Sequence, residues 1–539
     1  MIQQEAADLV VTNGKVITVD EAVPQAQAVA VRGDRILAIG SAADVRRYLG
    51  PATQTIDVQG QLVIPGFIEG HGHFTGVGEA QLNLKLMPTT SWEQIVSMVA
   101  EAAKTAKPGE WIIGRGWHQE KWTSRPNPNV EGFPTHASLD AVSPNNPVLL
   151  THASGHASFV NAKAMEISDI NRSTPNPPGG EILKDAAGNP TGLLRETASG
   201  LVHTGRGDPS RARKALELAS QEALSKGVTS FQDAGSSFAT IDLMKQMIDQ
   251  GQIGVRLWVM VREGNEREAP LLSKYRTIDY GKSHLTVRAI KRQIDGALGS
   301  RGAWLLEPYS DKPDSAGLNT TTIADITETA RLAMANDYQL CVHAIGDRAN
   351  RETLNIFEQA FKANPAKRDL RWRIEHAQHL SAQDIPRFGQ LGVIASMQGI
   401  HCTSDAPYVI ERLGAKRAEE GAYVWQKLMK SGAVVSNGTD APVEDMDPIA
   451  NYYASVSRKT KDGKVFFPDQ RMSRMEALKS YTINAAYAAF EDSSRGSLKV
   501  GKLADMTVLS KDITTIPEDQ IPTAQVSYTI VGGKVVYKK

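Results

Sequence analysis

Between residues 62 and 441 the chain repeats one pattern eight times: a short, β-prone apolar run ends in turn or polar residues, and a longer stretch leads to the next run. The runs are LVIPGFIEGHGHF (62–74), GVTSFQDAG (227–235), VRLWVMVR (255–262), VRAIKRQIDG (287–296), YQLCVHAIG (338–346), RWRIEHAQ (371–378), GVIASMQGI (392–400) and AVVSNGTDA (433–441). Amphipathic segments such as PSRARKALELASQEALSKG and TTIADITETARLAMAND separate several of them. Strands alternating with helices specify a parallel α/β sheet. Eight of them predict a (β/α)₈ barrel of the TIM type, whose functional groups sit at the C-terminal ends of the strands.

Two regions fall outside that repeat. The spacing from the first strand to the second far exceeds one βα loop, so 75–205 is read as an insertion in the barrel; a segment that long is usually functional. It holds Trp92, Trp111, Trp117 and Trp122, four of the eight tryptophans. These either fill the insertion's own core or line a substrate pocket, which would favour an apolar or aromatic substrate. The first 65 residues alternate apolar and polar positions around Asn13-Gly14, Gly33-Asp34 and Gln59-Gly60, and the same pattern returns around Gly532-Gly533. Each pair reads as a hairpin turn. The expectation is one small β domain built from both chain ends, 1–65 and 486–539, beside a barrel over 66–485.

At 539 residues the chain exceeds what one core usually supports. Lys plus Arg and Asp plus Glu are both 60, so charge gives no reason to expect nucleic acid or an anionic membrane as partner. Cys341 and Cys402 are too few for a disulfide framework, and no apolar run reaches the length of a membrane span. Met1 to Asp8 lacks the features of a signal peptide. The compartment stays open, cytoplasmic by default and exported if a leader was trimmed. A small-molecule substrate and a homodimer are expected.

The chemistry gathers at strand ends. His71 and His73, two apart on the first strand, project to the same side, into the barrel, as a pair able to hold one metal ion. His343 closes the fifth run, His376 lies in RIEHAQH, Asp440 follows SNGT and Lys291 sits inside the fourth. A barrel gathers these positions into one ring of imidazole and carboxylate suited to Zn²⁺. Lys291 either faces that ring or points outward or toward Asp295, given its polar neighbours Arg292 and Gln293. Candidates for touching substrate are Trp117, His118, Gln398 and His401, with His152 and His156 either contacting substrate or making ordinary polar contacts. Gly296, Gly299 and Gly302 match no phosphate-loop spacing.

The ordered runs PGFIEGHGH, AIKRQIDGALGSRGA, HAIGDRA, RIEHAQH and NGTDAPVED resemble the amidohydrolase superfamily, closest to its amidohydrolase-3 or YtcJ-like branch. SGHASFVNAKAM and PTGLLRE in the insertion fit the same branch. The resemblance implies two zinc ions: His71, His73 and Asp440 on the more buried one, His343 and His376 on the second, and a CO₂-carboxylated Lys291 bridging them. A one-metal site is the alternative. It further implies that Asp440 shuttles a proton for a metal-activated hydroxide and that His401 steadies a developing oxyanion. Glu69 stands where Asp often precedes the histidine pair, and Gly399 where Pro is frequent. The function expected is hydrolysis of an amide or N-acyl C–N bond. Cyclic amides, carbamates or esters on the same site, a lyase or isomerase, and an inactive scaffold are the rival readings.

Overall fold

A computed structural model describes residues 6–204 and 209–539. Met1–Glu5 and residue 205, the expected end of the insertion, lie outside the described residues. Eight parallel strands stand in chain order around a barrel: β1 (Phe67–Gly72), β2 (Val228–Ser236), β3 (Arg256–Val261), β4 (Leu285–Gln293), β5 (Gln339–Ala344), β6 (Arg373–His376), β7 (Ile394–Met397) and β8 (Val435–Asn437). Six fall within the runs read from the sequence; β2 ends one residue past its run and β4 begins two residues before its own. Their near-continuous burial reflects a sheet covered on both faces, helices outside and packed side chains within. The ring closes just past β8, where the Asp440 amide donates to the His71 carbonyl at 2.8 Å and the His73 amide to that of Ala441 at 2.7 Å. Gly70 makes this approach possible, because a Cβ there would sit 2.3 Å from the Asn437 carbonyl oxygen.

Strands from both chain ends share one six-stranded sheet, in which Leu62–Pro65 pairs antiparallel with Met506–Leu509. A four-stranded sheet of Leu9–Thr12, Ala28–Arg32, Arg35–Gly40 and Gln54–Asp57 packs on it through Val11, Val16, Val29, Val63, Met506 and Ile530. Hairpins form at Gly33-Asp34 and Gly532-Gly533. The expected hairpins at Asn13-Gly14 and Gln59-Gly60 do not form. Leu9–Thr12 and Lys15–Ile17 lie in different sheets, as do Gln54–Asp57 and Leu62–Pro65. The turn residues set only a local change of direction; the pairing partner is decided by which sheet buries the flanking apolar face.

The insertion builds its own six-stranded sheet, from Leu84–Lys85 through Ile112–Trp117, Val148–His152 and Ala157–Val160 to Pro190–Glu196 and Gly180–Lys184. Its core includes Trp92, Ile95, Trp117, Leu150, Phe159 and Leu193. Among the described residues no helix is long and apolar enough to cross a membrane.

Candidate metal centre

At the C-terminal end of the barrel, His71, His376 and Asp440 each offer one ligand atom, all within 4.8 Å of one another. Each of the two histidines is positioned by a second residue. The His71 Nδ1 bonds the Glu375 carboxylate, and Glu375 is gripped by Arg373 at 2.7 and 3.0 Å. Arg373 also donates to the Gly70 carbonyl, Gln232 and Ser396, which plugs the barrel beneath the site. Burial opposes ionisation of Glu375, but the Arg373 charge prevails and holds its pKa well below the usual carboxylate range. The His376 Nδ1 donates to Gln398 Oε1 at 2.7 Å. In both rings Nε2 is therefore the nitrogen left with a lone pair for a cation. His71 Nε2 and Asp440 Oδ1 are buried without a hydrogen-bond partner, and they face each other at 3.5 Å.

Backbone strain accompanies this convergence. His376 has φ +75° and Ala377 +43°. Regular alternation would send Glu375 and His376 to opposite faces. The left-handed turn brings the His376 ring inward, with its centroid 4.8 Å from that of His71. Asp440, at φ +58°, is also left-handed. Such conformations cost roughly 1–3 kcal/mol each and persist where the surroundings impose them.

His73 and His343 border the triad. His73 Nε2 lies 3.2 Å from Asp440 Oδ1, and the His343 ring is centred 4.5 Å from that of His376. Burial, then the Lys291 charge, lowers the pKa of His71 to about 4, and burial pushes His343 and His376 well down. These three rings are thus neutral at pH 7, as ligands must be. Burial of Asp440 works against its charge, yet the adjacent His73, His71 and His376 rings hold its pKa well below the usual carboxylate range.

Lys291 lines the cavity, and burial lowers its pKa to about 8. Arg292 points the opposite way, onto Glu268 at 2.6 Å and Thr329 at 2.8 Å, which accounts for a charged residue beside Lys291. Asp295 is not the lysine's partner. It accepts from the amides of Trp304, Ile345 and Gly346 at 2.8–3.0 Å, while burial raises its pKa to about 7.

The substrate-contact candidates divide. His401, stacked 6.1 Å from His376, keeps an unpartnered Nε2 that lies 3.9 Å from Asp440 Oδ2, and it lines a cavity of about 1090 Å³. His118 lines that cavity too. Gln398 is committed to His376 and lines neither this cavity nor the smaller one at the metal centre. Trp117 is fully buried in the insertion core, its indole N–H on the Leu150 carbonyl at 2.8 Å, so the expectation that it meets substrate is overturned. Trp92 and Trp122 pack around it, and Trp111 packs on a neighbouring cluster of the insertion. The tryptophan argument for an apolar substrate falls with them, since isolated insertion strands need a core of their own.

Sequence reasoning missed Glu375 and Arg373, although their period-2 spacing in RIEH places both inside the barrel. It also undervalued His156. The insertion delivers this residue to the metal-site cavity, its ring centred 5.2 Å from that of His343 and its Nδ1 bonded to Glu196 at 2.7 Å. The Glu196 carboxylate occupies the space over Gly296 and Gly302, where a Cβ would meet it at 2.3 Å, so these glycines make room for a carboxylate and not for a phosphate. Gly399 is equally constrained: a Cβ would lie 2.1 Å from Ser455 Oγ, and its amide donates to Asn437 at 3.0 Å, a bond that Pro could not make.

Comparisons with known proteins agree with this geometry. A family model described as "Amidohydrolase family" matches residues 54–537. The chain is 34% identical to Protein LONG AFTER FAR-RED 3 of Arabidopsis thaliana, over 98% of this chain and 92% of that protein. It is 31% identical to the putative amidohydrolase YtcJ of Bacillus subtilis, over 98% of each. It is 28% identical to the N-substituted formamide deformylase of Arthrobacter pascens, over 99% and 98%. The solved structure of an uncharacterized metal-dependent hydrolase from Pyrococcus horikoshii superposes with a TM-score of 0.77 at 24% identity, covering 95% of this chain and 99% of that one. The chain belongs to the amidohydrolase family.

Proposed function

We propose that this protein hydrolyses an amide or N-acyl C–N bond of a small molecule with divalent metal, zinc by donor type, held by His71, His73, Lys291, His343, His376 and Asp440. The observation that carries this reading is the set of buried ligand atoms without protein partners (His71 Nε2, His343 Nε2, Asp440 Oδ1) beside rings whose orientation is already fixed. Leaving such atoms unpaired costs roughly 1–3 kcal/mol each, which a cation would offset. Imidazole and carboxylate suit zinc, and a deformylase among the relatives supports C–N hydrolysis. Metal bound here would supply Lewis acidity and a water of lowered pKa.

The chain's own groups account for the remainder. Asp440 Oδ2, facing His401, accepts a proton from the attacking water and passes it to the leaving nitrogen. His401 Nε2 donates to the substrate oxygen as negative charge develops there. Lys291, with a pKa of about 8, carries enough neutral amine near pH 8 to attack CO₂, losing one proton and becoming an anionic carbamate ligand. Metal analysis of protein purified without added metal, wild type and Asp440→Asn, tests the reading. About two zinc per chain, lost together with acid-plus-amine formation in the variant, is expected by the site's donor count. Metal near zero that added Zn²⁺ does not restore overturns it.

A further inference from the structure

The metal-site cavity, about 410 Å³, carries two cations that the hydrolytic machinery leaves unused. Arg115, from the insertion strand Ile112–Trp117, reaches two neutral oxygens only, the Ala153 carbonyl at 3.2 Å and the Pro442 carbonyl at 3.5 Å. Arg262, directly after β3, lines the cavity, donates to the Gln293 side-chain oxygen at 3.0 Å and is otherwise exposed. Neither makes an ion pair among the described residues. The carboxylates on the same wall are committed elsewhere: Glu196 to His156 at 2.7 Å, and Asp440 to the histidine cluster. Desolvation lowers the pKa of both guanidiniums without discharging them, and the carboxylates that act on them from a distance, Asp440 and Glu79 on Arg115 and Asp233 and Asp440 on Arg262, offset it only in part.

From this geometry we infer that the substrate carries an oxyanion, a carboxylate or a phosphate, bound by Arg115 and Arg262 beside the bond to be cleaved. A guanidinium presents a planar fork of donors that matches either anion in bidentate fashion. The two arginines come from different units, one from the insertion and one from the barrel. An anion between them would therefore fix the substrate relative to the metal ligands and tie the insertion to the barrel mouth. This inference rests on the hydrolase reading for what is cleaved, but the anion preference is an equilibrium property measurable without turnover.

Three probes with a common acyl group separate the cases: N-benzoylglycine, N-benzoyl-O-phosphoethanolamine and the neutral N-benzoylethanolamine. On zinc-loaded protein, affinity is read by calorimetry, or as KM where a probe is hydrolysed. One anionic probe is expected to bind at least about 10-fold tighter than the neutral one, the worth of one charge-assisted hydrogen bond. Which anion prevails identifies the source. Arg115→Gln and Arg262→Gln should each weaken that anion about 10- to 100-fold and change the neutral probe far less, while Arg115→Lys restores part of the loss. Far-UV circular dichroism establishes that each variant is folded. Neutral binding as tight as both anions, no measurable binding of either anion, or Gln variants that weaken all three probes alike overturns the inference. If no probe is turned over while the arginine-dependent preference persists, the hydrolase reading fails and the anion site stands.

Discussion

The chain brings histidines to its metal-site end from two directions, and the two sets are treated differently. The barrel rings of His71 and His376 each have Nδ1 tied to a fixed side chain, with Nε2 turned to the cluster; His71 Nε2 has no protein partner. In the insertion, His152 has both nitrogens engaged, Nδ1 with Ser154 at 2.8 Å and Nε2 with Gln119 at 3.1 Å, and His118 caps its own turn by accepting from the Glu120 amide. His156 is intermediate: its Nδ1 bonds Glu196 and the ring lies against His343. Histidine content therefore says little about which rings bind a cation. What separates candidate ligands from scaffold is whether the protein has left one nitrogen of an already oriented ring unspent.

The sharpest way to break this comparison is to swap the expected losses. His71→Asn should remove at least one zinc per chain by elemental analysis, whereas His152→Asn should leave zinc content unchanged; the reverse pattern would sink the distinction. Glu375→Gln tests the supporting layer. It frees His71 to rotate and leaves Arg373 without its buried counter-charge, so zinc affinity should fall about 10- to 100-fold and unfolding free energy by about 3–5 kcal/mol, read by metal titration and chemical denaturation. Trp117→Ala addresses the other side. A cavity in the insertion core should lower stability by a similar 3–5 kcal/mol while zinc per folded chain is unchanged. A specific loss of zinc would mean that the insertion shapes the metal ligands.

The smallest effect is in pH. His71 and His118 both have pKa values near 4 in the folded chain, lowered mainly by burial, against 6.5 for the free side chain. The unfolded chain therefore binds more protons between these values, and stability is lost as pH falls from about 6.5 toward 4. The slope is at most about 1.4 kcal/mol per pH unit for each ring. Denaturation of metal-free protein across that window reads it. His118→Gln should remove that ring's share of the slope and leave that of His71, and a stability flat from pH 6.5 to 4 would contradict the neutral rings.

What was legible in the sequence follows from local physics. Eight apolar runs with helices between them specify eight parallel strands, because one-dimensional spacing and the period of burial are properties of short segments. The candidates at the strand ends, His71, His73, Lys291, His343, His376 and Asp440, were reachable because a barrel converts chain order into ring order. The same alternation that predicted His71 and His73 would have excluded His376 beside Glu375; only its left-handed backbone reconciles them.

The tertiary structure decided everything that depends on which distant surface a residue meets. Trp117 and Arg115 are two residues apart on one strand, yet Trp117 is sealed in the insertion core and Arg115 opens into the cavity at the metal site. Asn13-Gly14 and Gly33-Asp34 read alike as turns, and only the second joins paired strands. The bonds between Glu375 and His71, from Arg373 to the Gly70 carbonyl, between Gln398 and His376 and between Glu196 and His156 span up to about three hundred residues of sequence. Local pattern could nominate candidate ligands because donor type and strand position are written in each segment. It could not say which of their nitrogens the protein left free, because that depends on long-range packing that no window of sequence contains.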